Sequence, residues 1–387
     1  LPAAARHVGA TTGGEFDNEG MHTGSVVLGA LSGDFEVGIG LGRDLSRDAI
    51  RAGGQAVRRA CDELGVRQSD LDPRRHLGLV IDDGFRNKKE ELLLGVLDKN
   101  QSLVLVGGGA SDTNMDPLAG SSEIHVDGEV ATDGALVAVF RTTAPWGALR
   151  SHAYTPTGKT LTITKVDDSG YRALEIDGKP ATIRYAELLG VSPDHLGFEH
   201  PGGFVSYPTA LHVGHEYFMR SPYQPLPDGS IYFVNLLAED TELEIMKLGD
   251  TAEFTRQFFL EELPRKVKNP SALLLFQCGA RSLIASSTNA LAAGSWNFIE
   301  VKLTIADSGG SFEVRSFARA PLALFSPDAG GRNQAEHPRP DLPSDLTAFL
   351  RIRFLVSMTL HRAAHAGVSP AKNTENMKNS KTKNAPL

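Results

Sequence analysis

Three glycines, Gly107, Gly108 and Gly109, follow the apolar run Val104-Leu105-Val106 and lead into Ala110, Ser111 and Asp112. A phosphate loop of the GxxxxGK[ST] type needs a lysine and a hydroxyl at fixed places, and neither stands here. A dinucleotide loop needs GxGxxG opening a helix, so that the pyrophosphate meets the helix N-terminus. Asp112 occupies the third glycine position and sets a negative charge where phosphate would sit. Turn formers, TNMDPLAGSS, follow in place of a helix. The loop is therefore not a nucleotide loop. What remains is a glycine loop at a strand's end, with Gly108, Gly109, Ser111 and Asp112 offering backbone N–H groups and side chains where ligands bind in α/β sheets. A bare tight turn is the competing reading.

Other reactive residue types are scattered. Leu79-Val-Ile-Asp-Asp83 has the form of a Walker B strand but no phosphate-loop partner. His212, His215 and Glu216 match neither HExxH nor HxxEH, and strand residues three apart face opposite sides. His361 and His365 are one helical turn apart with no third ligand nearby, so no metal site is expected. Cys278 ends the apolar stretch Ser271 to Cys278, read as a buried strand, and Arg281 follows closely as a cation that favours thiolate. A nucleophilic cysteine needs a base, and no histidine recommends itself; a buried inert thiol is the alternative. Arg220, among Tyr217, Phe218 and Met219, is a candidate for binding a carboxylate through its guanidinium fork. An ordinary ion pair explains it equally well.

The elements around these residues read as α/β. Ser25–Leu31, Phe35–Leu41 and His76–Asp83 are strand-like, and Ser102–Gly108 and Gly134–Phe140 follow them. A helix with Ser46 as N-cap places Ile50, Val57, Cys61 and Leu64 on one face and ends at Gly65. KKEELLLGVLDK is a second helix, and the alternation argues for an α/β layer. TTGGE…TGSVVLGAL and VGGGASD…TDGALVAVF echo one another, as a duplicated unit would. The Pro/Gly/Thr-rich stretch Ala144–Thr160 marks a boundary. KTLTITKV, YRALEID with its Asp177-Gly178 turn, and TIRY read as strands beyond it. EYFMRSP and SIYFVN flank the PLPDG loop as a hairpin, and Asp250 with Glu253 forms a capping box for a helix ending at Pro264. GSWNFIEVKLTIADSGGSFEVRSF alternates like a hairpin, LTAFLRIRFLVSMTLHRAAH reads as a short helix, and roughly the last twenty residues read as a disordered basic tail.

Composition limits the function classes. The chain has 387 residues, 41% hydrophobic and 22% charged, with a net charge of −8. That length favours more than one core, and the acidic balance argues against a nucleic-acid partner. Only Cys61 and Cys278 are present, without CxxC spacing, which fits a reducing, cytoplasmic setting. No apolar run reaches the roughly 18 residues of a membrane span. The N-terminus enters almost directly into a strand-like run, so the chain is expected to lack its first elements.

Five segments in order, over about residues 8 to 285, resemble the FIST family, whose FIST-N and FIST-C parts form a sensory module. Gly9-Ala10-Thr11-Thr12-Gly13-Gly14-Glu15 resembles the family's Gly-Cys-Ser-Thr-x-Gly-Glu turn, with Ala10 in the cysteine position. VGGGASD…GEVATDGALVAVF is similar to the segment closing FIST-N. ALEIDGKPATIRYAELLG resembles the start of FIST-C, an E-x-D-G-x-P-A run leading into a helix. YFMRSP…PDGSIYF and LLLFQCGAR resemble its later strands, with Ala280 replacing a glycine-like position. Beyond Ser286 the closing segments of the family are not found, and Ala293 onward reads as unrelated sequence.

The resemblance implies an α/β protein of two similar halves, with mixed sheets flanked by helices and a cleft between them. Residues 1–147 are FIST-N-like, 148–320 FIST-C-like, and 321–387 linker, helix and tail. It also implies a non-catalytic small-ligand sensor, with an amino acid or derivative as ligand and no cofactor. Thr12, Gly13, Glu15, Gly108, Gly109, Ser111, Asp112, Arg220, Cys278 and Arg281 are its expected ligand contacts. An adaptor related to F-box-type FIST proteins, with signalling or adaptor partners, and an enzyme using Cys278 are the alternatives.

Overall fold

The computed structural model describes residues 6–17, 20–22, 24–31, 33–112, 120–198, 200, 202–268, 273–278, 312–317 and 353–354. Its first elements are β1 (Val8–Ala10), β2 (Glu15–Asp17), β3 (Gly20–His22), β4 (Val26–Leu31), β5 (Phe35–Arg43) and α1 (Ala49–Leu64). Then come β6 (His76–Asp83), α2 (Lys89–Leu97), β7 (Val104–Ala110), β8 (Ile124–Val126), β9 (Glu129–Ala131) and β10 (Gly134–Thr142). Four strands form a sheet in the order β5-β10-β6-β7. β6 and β7 are parallel, with α2 in the connection between them, while β10 is antiparallel to β5 and β6.

Side-chain alternation divides this sheet between two layers. Ala135, Val137 and Val139 of β10 pack with α1 and α2, and Leu136 and Ala138 pack with the small sheet β1-β8-β9. The helical layer lies very close. Gly38, Gly40 and Gly42 repeat at the strand period, and a Cβ on them would stand 2.0, 1.9 and 2.2 Å from the carbonyl oxygens of Ala60, Ala56 and Ala52. The buried face of α1 is correspondingly small: Ala52, Gly53, Ala56 and Ala60. α2 meets α1 by the same means, since a Cβ on Gly95 would lie 1.9 Å from the Ile50 carbonyl oxygen.

The start of α1 differs from expectation. Asp48 is the N-cap and accepts from the Arg51 N–H, while Ser46 donates its N–H and hydroxyl to Asp133. Ser46 stands two residues before the cap position, with its hydroxyl turned to Asp133. Val57, Cys61 and Leu64 are buried, but Ile50 is 50% exposed. Gly65 ends the helix in the left-handed region as expected. Burial, with Asp62 beside it, pushes the Cys61 thiol up to about 11.

The next strands are β11 (Tyr154–Val166), β12 (Arg172–Ile176) and β13 (Lys179–Pro180), followed by α3 (Ala181–Leu189). Beyond them lie β14 (Thr209–Val213), β15 (Glu216–Arg220), β16 (Pro222–Pro225), β17 (Ile231–Phe233) and β18 (Thr241–Leu248). They form an eight-stranded sheet in the order β15-β14-β18-β11-β12-β17-β16, with β13 on β12. All of its pairings are antiparallel. The protein is α/β as expected, but the two sheets differ in build: one is mixed and carries two helices, the other is antiparallel and carries α3. TIRY belongs to α3, not to a strand. Ala181, Thr182, Tyr185 and Ala186 are its buried residues, which is helical spacing. Tyr185 meets Phe204 edge to face at 5.3 Å in the core. Asp177 and Gly178, at φ 50° and 73°, make the expected tight turn. The PLPDG loop joins β16 to β17, whereas EYFMR pairs with β14.

Asp250 caps α4 (Thr251–Gln257), but Glu253 bonds Arg256 instead of closing the capping box. A π turn over Phe258–Glu262 leads into α5 (Leu263–Lys266), so the helical path continues past Pro264. Proline is tolerated there because the start of a helical segment needs no N–H donor. β19 (Phe312–Phe317) and β20 (Arg353–Phe354) flank β4 as antiparallel neighbours. FEVRSF is thus a strand as expected, while Arg353–Phe354, expected in a helix, is strand; the remainder of that expected helix lies outside the described residues. β4 and β10, the strands of the sequence echo, occupy different sheets, so the echo is not a structural repeat.

The packing predicts opposite outcomes for two alanines. Gly40→Ala forces a methyl into backbone and should cost about 1–3 kcal/mol or more. Gly54→Ala meets only the Gly95 carbonyl at 3.6 Å and should stabilise α1 by up to about 1 kcal/mol. Urea unfolding of both variants checks the pair; equal stabilities would mean the helix does not lie against β5.

Candidate functional site

The parallel strands β6 and β7 end side by side, with Asp82 opposite Gly109 and Asp83 opposite Ala110. The glycines expected in a loop are therefore strand residues. Gly107, at φ 139°, is the conformationally demanding one, and a Cβ there would lie 1.8 Å from the Val80 carbonyl oxygen. A Cβ on Gly109 would meet the Gly84 Cα at 2.8 Å, so this position needs glycine for space. Gly108 faces open space outside the left-handed region. It is a site residue only by position.

The end of β1 joins these strand ends. The Ser111 N–H donates to the Thr11 carbonyl at 2.9 Å, and the Thr11 hydroxyl oxygen accepts from the Glu123 N–H at 3.0 Å. Thr12 then turns the chain: its hydroxyl lies 2.8 Å from Glu15 Oε1 and 3.2 Å from the Gly14 N–H. Glu15 is 5% exposed, and the Ser25 hydroxyl donates to its other oxygen. The stretch holding Thr12, Gly13 and Glu15 and the stretch holding Ser111 and Asp112 are thus tied together, though far apart in sequence.

Two carboxylates at the end of β6 complete the geometry, and reading LVIDD as a partnerless Walker B strand missed both. Asp83 is buried on the side of Leu79 and Ile81. It accepts from the Ser122 hydroxyl at 2.7 Å, the Asp133 N–H at 3.0 Å, Arg86 Nε at 3.0 Å and the Phe85 N–H at 3.3 Å. Asp82 is buried on the helical side, where Lys89 of α2 donates to its Oδ1. Its Oδ2 is buried and accepts no hydrogen bond among the described residues. Adjacent acidic residues after an apolar strand were the available signal; the burial of both was not.

The first turn of α2 also reaches the eight-stranded sheet. Asn87 donates to the Tyr232 hydroxyl at 3.0 Å, and Glu90 accepts from the Leu236 N–H at 2.9 Å. Arg220 lies 3.0 Å from Glu90 Oε1, so the residue expected to bind a carboxylate pairs with one from the protein itself. The Tyr171 hydroxyl donates to Glu91 at 3.0 Å, and Lys88 donates to the other Glu91 oxygen at 2.8 Å. Burial pushes the Glu91 carboxyl up, but its bonds, from Lys88 first and then from Tyr171, more than offset this and hold it below the ordinary 4.5.

Cys278 is exposed rather than buried. Residues 273–278 have no regular structure, with Leu274 59% and Phe276 38% exposed. Strand-like composition forms no strand without a neighbour to accept its hydrogen bonds, and none pairs with it among the described residues. Arg281 lies outside the described residues. Among those residues no group of three His, Cys, Asp or Glu is placed to hold a metal, and no helix is long and apolar enough to cross a membrane.

A mixed sheet with a parallel pair, a glycine-bearing strand and polar groups gathered at the carboxyl ends define an α/β domain. The model of the FIST N domain, a family of sensory and signal-transduction domains, matches residues 1–179, just under half of the chain. Comparison with curated proteins finds no match. The matched span ends at Lys179, beyond the expected boundary at 147, and so takes in β11 and β12 of the eight-stranded sheet.

Asp83→Ala leaves Ser122, the Asp133 N–H and Arg86 without their acceptor and should cost about 3–5 kcal/mol in denaturant unfolding. A cost within 1 kcal/mol would mean that Asp83 does not hold these segments. The contact of α2 with the second sheet should weaken in acid. Because the folded-state pKa of Glu91 is depressed, its contribution is present above pH 4.5 and is lost as pH falls through the folded value. Tyr171→Phe should flatten this loss in thermal melts between pH 6 and about pH 3. An unchanged slope would remove Glu91 as its source.

Proposed function

We propose that this chain is a non-catalytic sensory module that binds a small ligand, an amino acid or a derivative, at the carboxyl ends of β6 and β7. The observation that carries this reading is the bond between Ser111 and Thr11. It sets the turn bearing Thr12, Gly13 and Glu15 beside the segment bearing Gly109, Ser111 and Asp112, where the crevice of an open α/β sheet receives ligands. Glu15 and Asp112 supply carboxylates for an ammonium group, and Ser111 supplies a hydroxyl. The FIST N match over residues 1–179 supports a sensory role. The FIST-C-like reading of the residues after 179 belongs to this proposal and rests on their motifs. Arg220 serves in it as the tie between α2 and the second sheet.

The reading is tested by thermal shift against the standard amino acids. A ligand that binds only the folded protein stabilises it by about 2.7 kcal/mol at a hundred times its Kd, so the melting temperature should climb with concentration. Glu15→Gln and Ser111→Ala should each reduce the shift while circular dichroism stays unchanged. A panel that moves the melting temperature at no concentration would overturn the proposal.

A further inference from the structure

β15 and β16 are the outermost strands on opposite edges of the eight-stranded sheet, yet only Ser221 separates them in the chain. The sheet therefore curls until its two edges meet. Ser221 closes the join: its carbonyl accepts the Val234 N–H at 3.1 Å, and its own N–H donates to Asn235 Oδ1 at 2.9 Å. Phe233 stands opposite Pro222, and that register, carried on through Val234 and Ser221, sets Leu236 opposite Met219. In an antiparallel ladder the Leu236 N–H would be the next donor, and the Met219 carbonyl its acceptor. Each group has a different partner instead. The Leu236 N–H donates to Glu90 of α2 at 2.9 Å, and the Met219 carbonyl accepts a long bond, 3.4 Å, from Arg220 Nη1. The same Arg220 nitrogen lies 3.0 Å from the other Glu90 oxygen.

We infer that the Glu90–Arg220 pair is a wedge standing where one rung of the second sheet would form, and that this join has two states. In one, α2 is docked and the wedge is in place. In the other, α2 has withdrawn and the Leu236 N–H donates to the Met219 carbonyl. Both states satisfy the same backbone donor and acceptor, which makes the join a two-state element rather than a contact that simply breaks. The bonds that hold α2 to this sheet are polar: Asn87 with Tyr232, Glu91 with Tyr171, and Lys88 5.6 Å from the Tyr171 ring centre. Among the described residues each buried hydrophobic cluster belongs to one layer, and none joins α2 to the eight-stranded sheet. Polar contacts between domains separate more readily than large apolar ones. At its other end the same stretch is anchored to β6, through Lys89 on Asp82 and Arg86 on Asp83. A displacement at the ends of β6 and β7 thus moves the wedge, and the join beside β15 responds. This coupling goes beyond the ligand reading and does not depend on which ligand binds.

Two measurements on the full chain test it. Spin labels at Leu94→Cys on α2 and Val213→Cys on β14, positions 62% and 53% exposed, report the separation of the layers once Cys278 is replaced by Ser. Amide hydrogen exchange followed by NMR reports the Leu236 N–H. Glu90→Ala should lengthen the label distance while the Leu236 amide keeps its protection, because Met219 takes over as acceptor. Arg220→Met should lengthen the distance in the same way, and it reads the device if Glu90→Ala fails to fold by circular dichroism. An unchanged label distance in the folded variants overturns the inference. So does a Leu236 amide in Glu90→Ala that exchanges about tenfold faster or more, the loss of one hydrogen bond without a replacement. Either failure leaves the ligand reading standing, since neither measurement involves a ligand.

Discussion

Backbone lies directly against backbone where α1 crosses β5, and the positions of the other elements in the first layer follow from that contact. Gly38, Gly40 and Gly42 remove three successive Cβ atoms from one face of the strand, and Ala52, Ala56 and Ala60 bring their carbonyl oxygens into the space. Such an interface has little side-chain volume with which to adjust, so it fixes the distance of the helix from the sheet. α2 then packs on α1 through Gly53 and Gly95 with equally little freedom. Its first turn is thereby set at the carboxyl ends of β6 and β7.

That turn carries consecutive residues with different destinations. Lys89 turns toward Asp82 at the strand ends, while Asn87, Glu90 and Glu91 bond Tyr232 and Arg220 of the second sheet and Leu236 and Tyr171 next to its strands. Asp83, one residue along β6, faces the opposite layer and gathers Ser122, Asp133 and Arg86. Neighbouring carboxylates on a strand point to opposite faces, so one Asp-Asp pair ties the sheet end to both layers. The burial of each is sustained by partners, since an unpaired buried charge costs several kcal/mol.

Much of the secondary structure was legible in the sequence. The alternation in FEVGIGL, the apolar run of HLGLVIDD, the Asp177-Gly178 turn and the Gly65 helix end are local signals, and local sterics enforce them. The misreadings share a different cause. TIRY has strand-like residue types, yet Pro180 and the burial of Ala181, Thr182, Tyr185 and Ala186 make it a helix. Ser46 has the chemistry of a cap, but Asp133, distant in sequence, takes its hydroxyl. SALLLFQC has the composition of a buried strand, but no strand pairs with residues 273–278 among the described residues. In each case a distant partner, present or absent, outweighed a local preference.

For the site, the sequence by itself determined which residues carry useful chemistry: the TTGGE turn, the glycines before Ser111 and Asp112, and Arg220. Residue type and family pattern are properties of the chain, and neither depends on folding. Only the tertiary structure decided which of these meet. It tied Ser111 to Thr11, drew the glycines into β7, paired Arg220 with Glu90, and left Cys278 exposed. It also singled out Asp82, because an oxygen becomes a buried acceptor without a donor only when surrounding elements close over it. Burial and long-range pairing arise from the packing of layers, which spacing along a single chain does not encode.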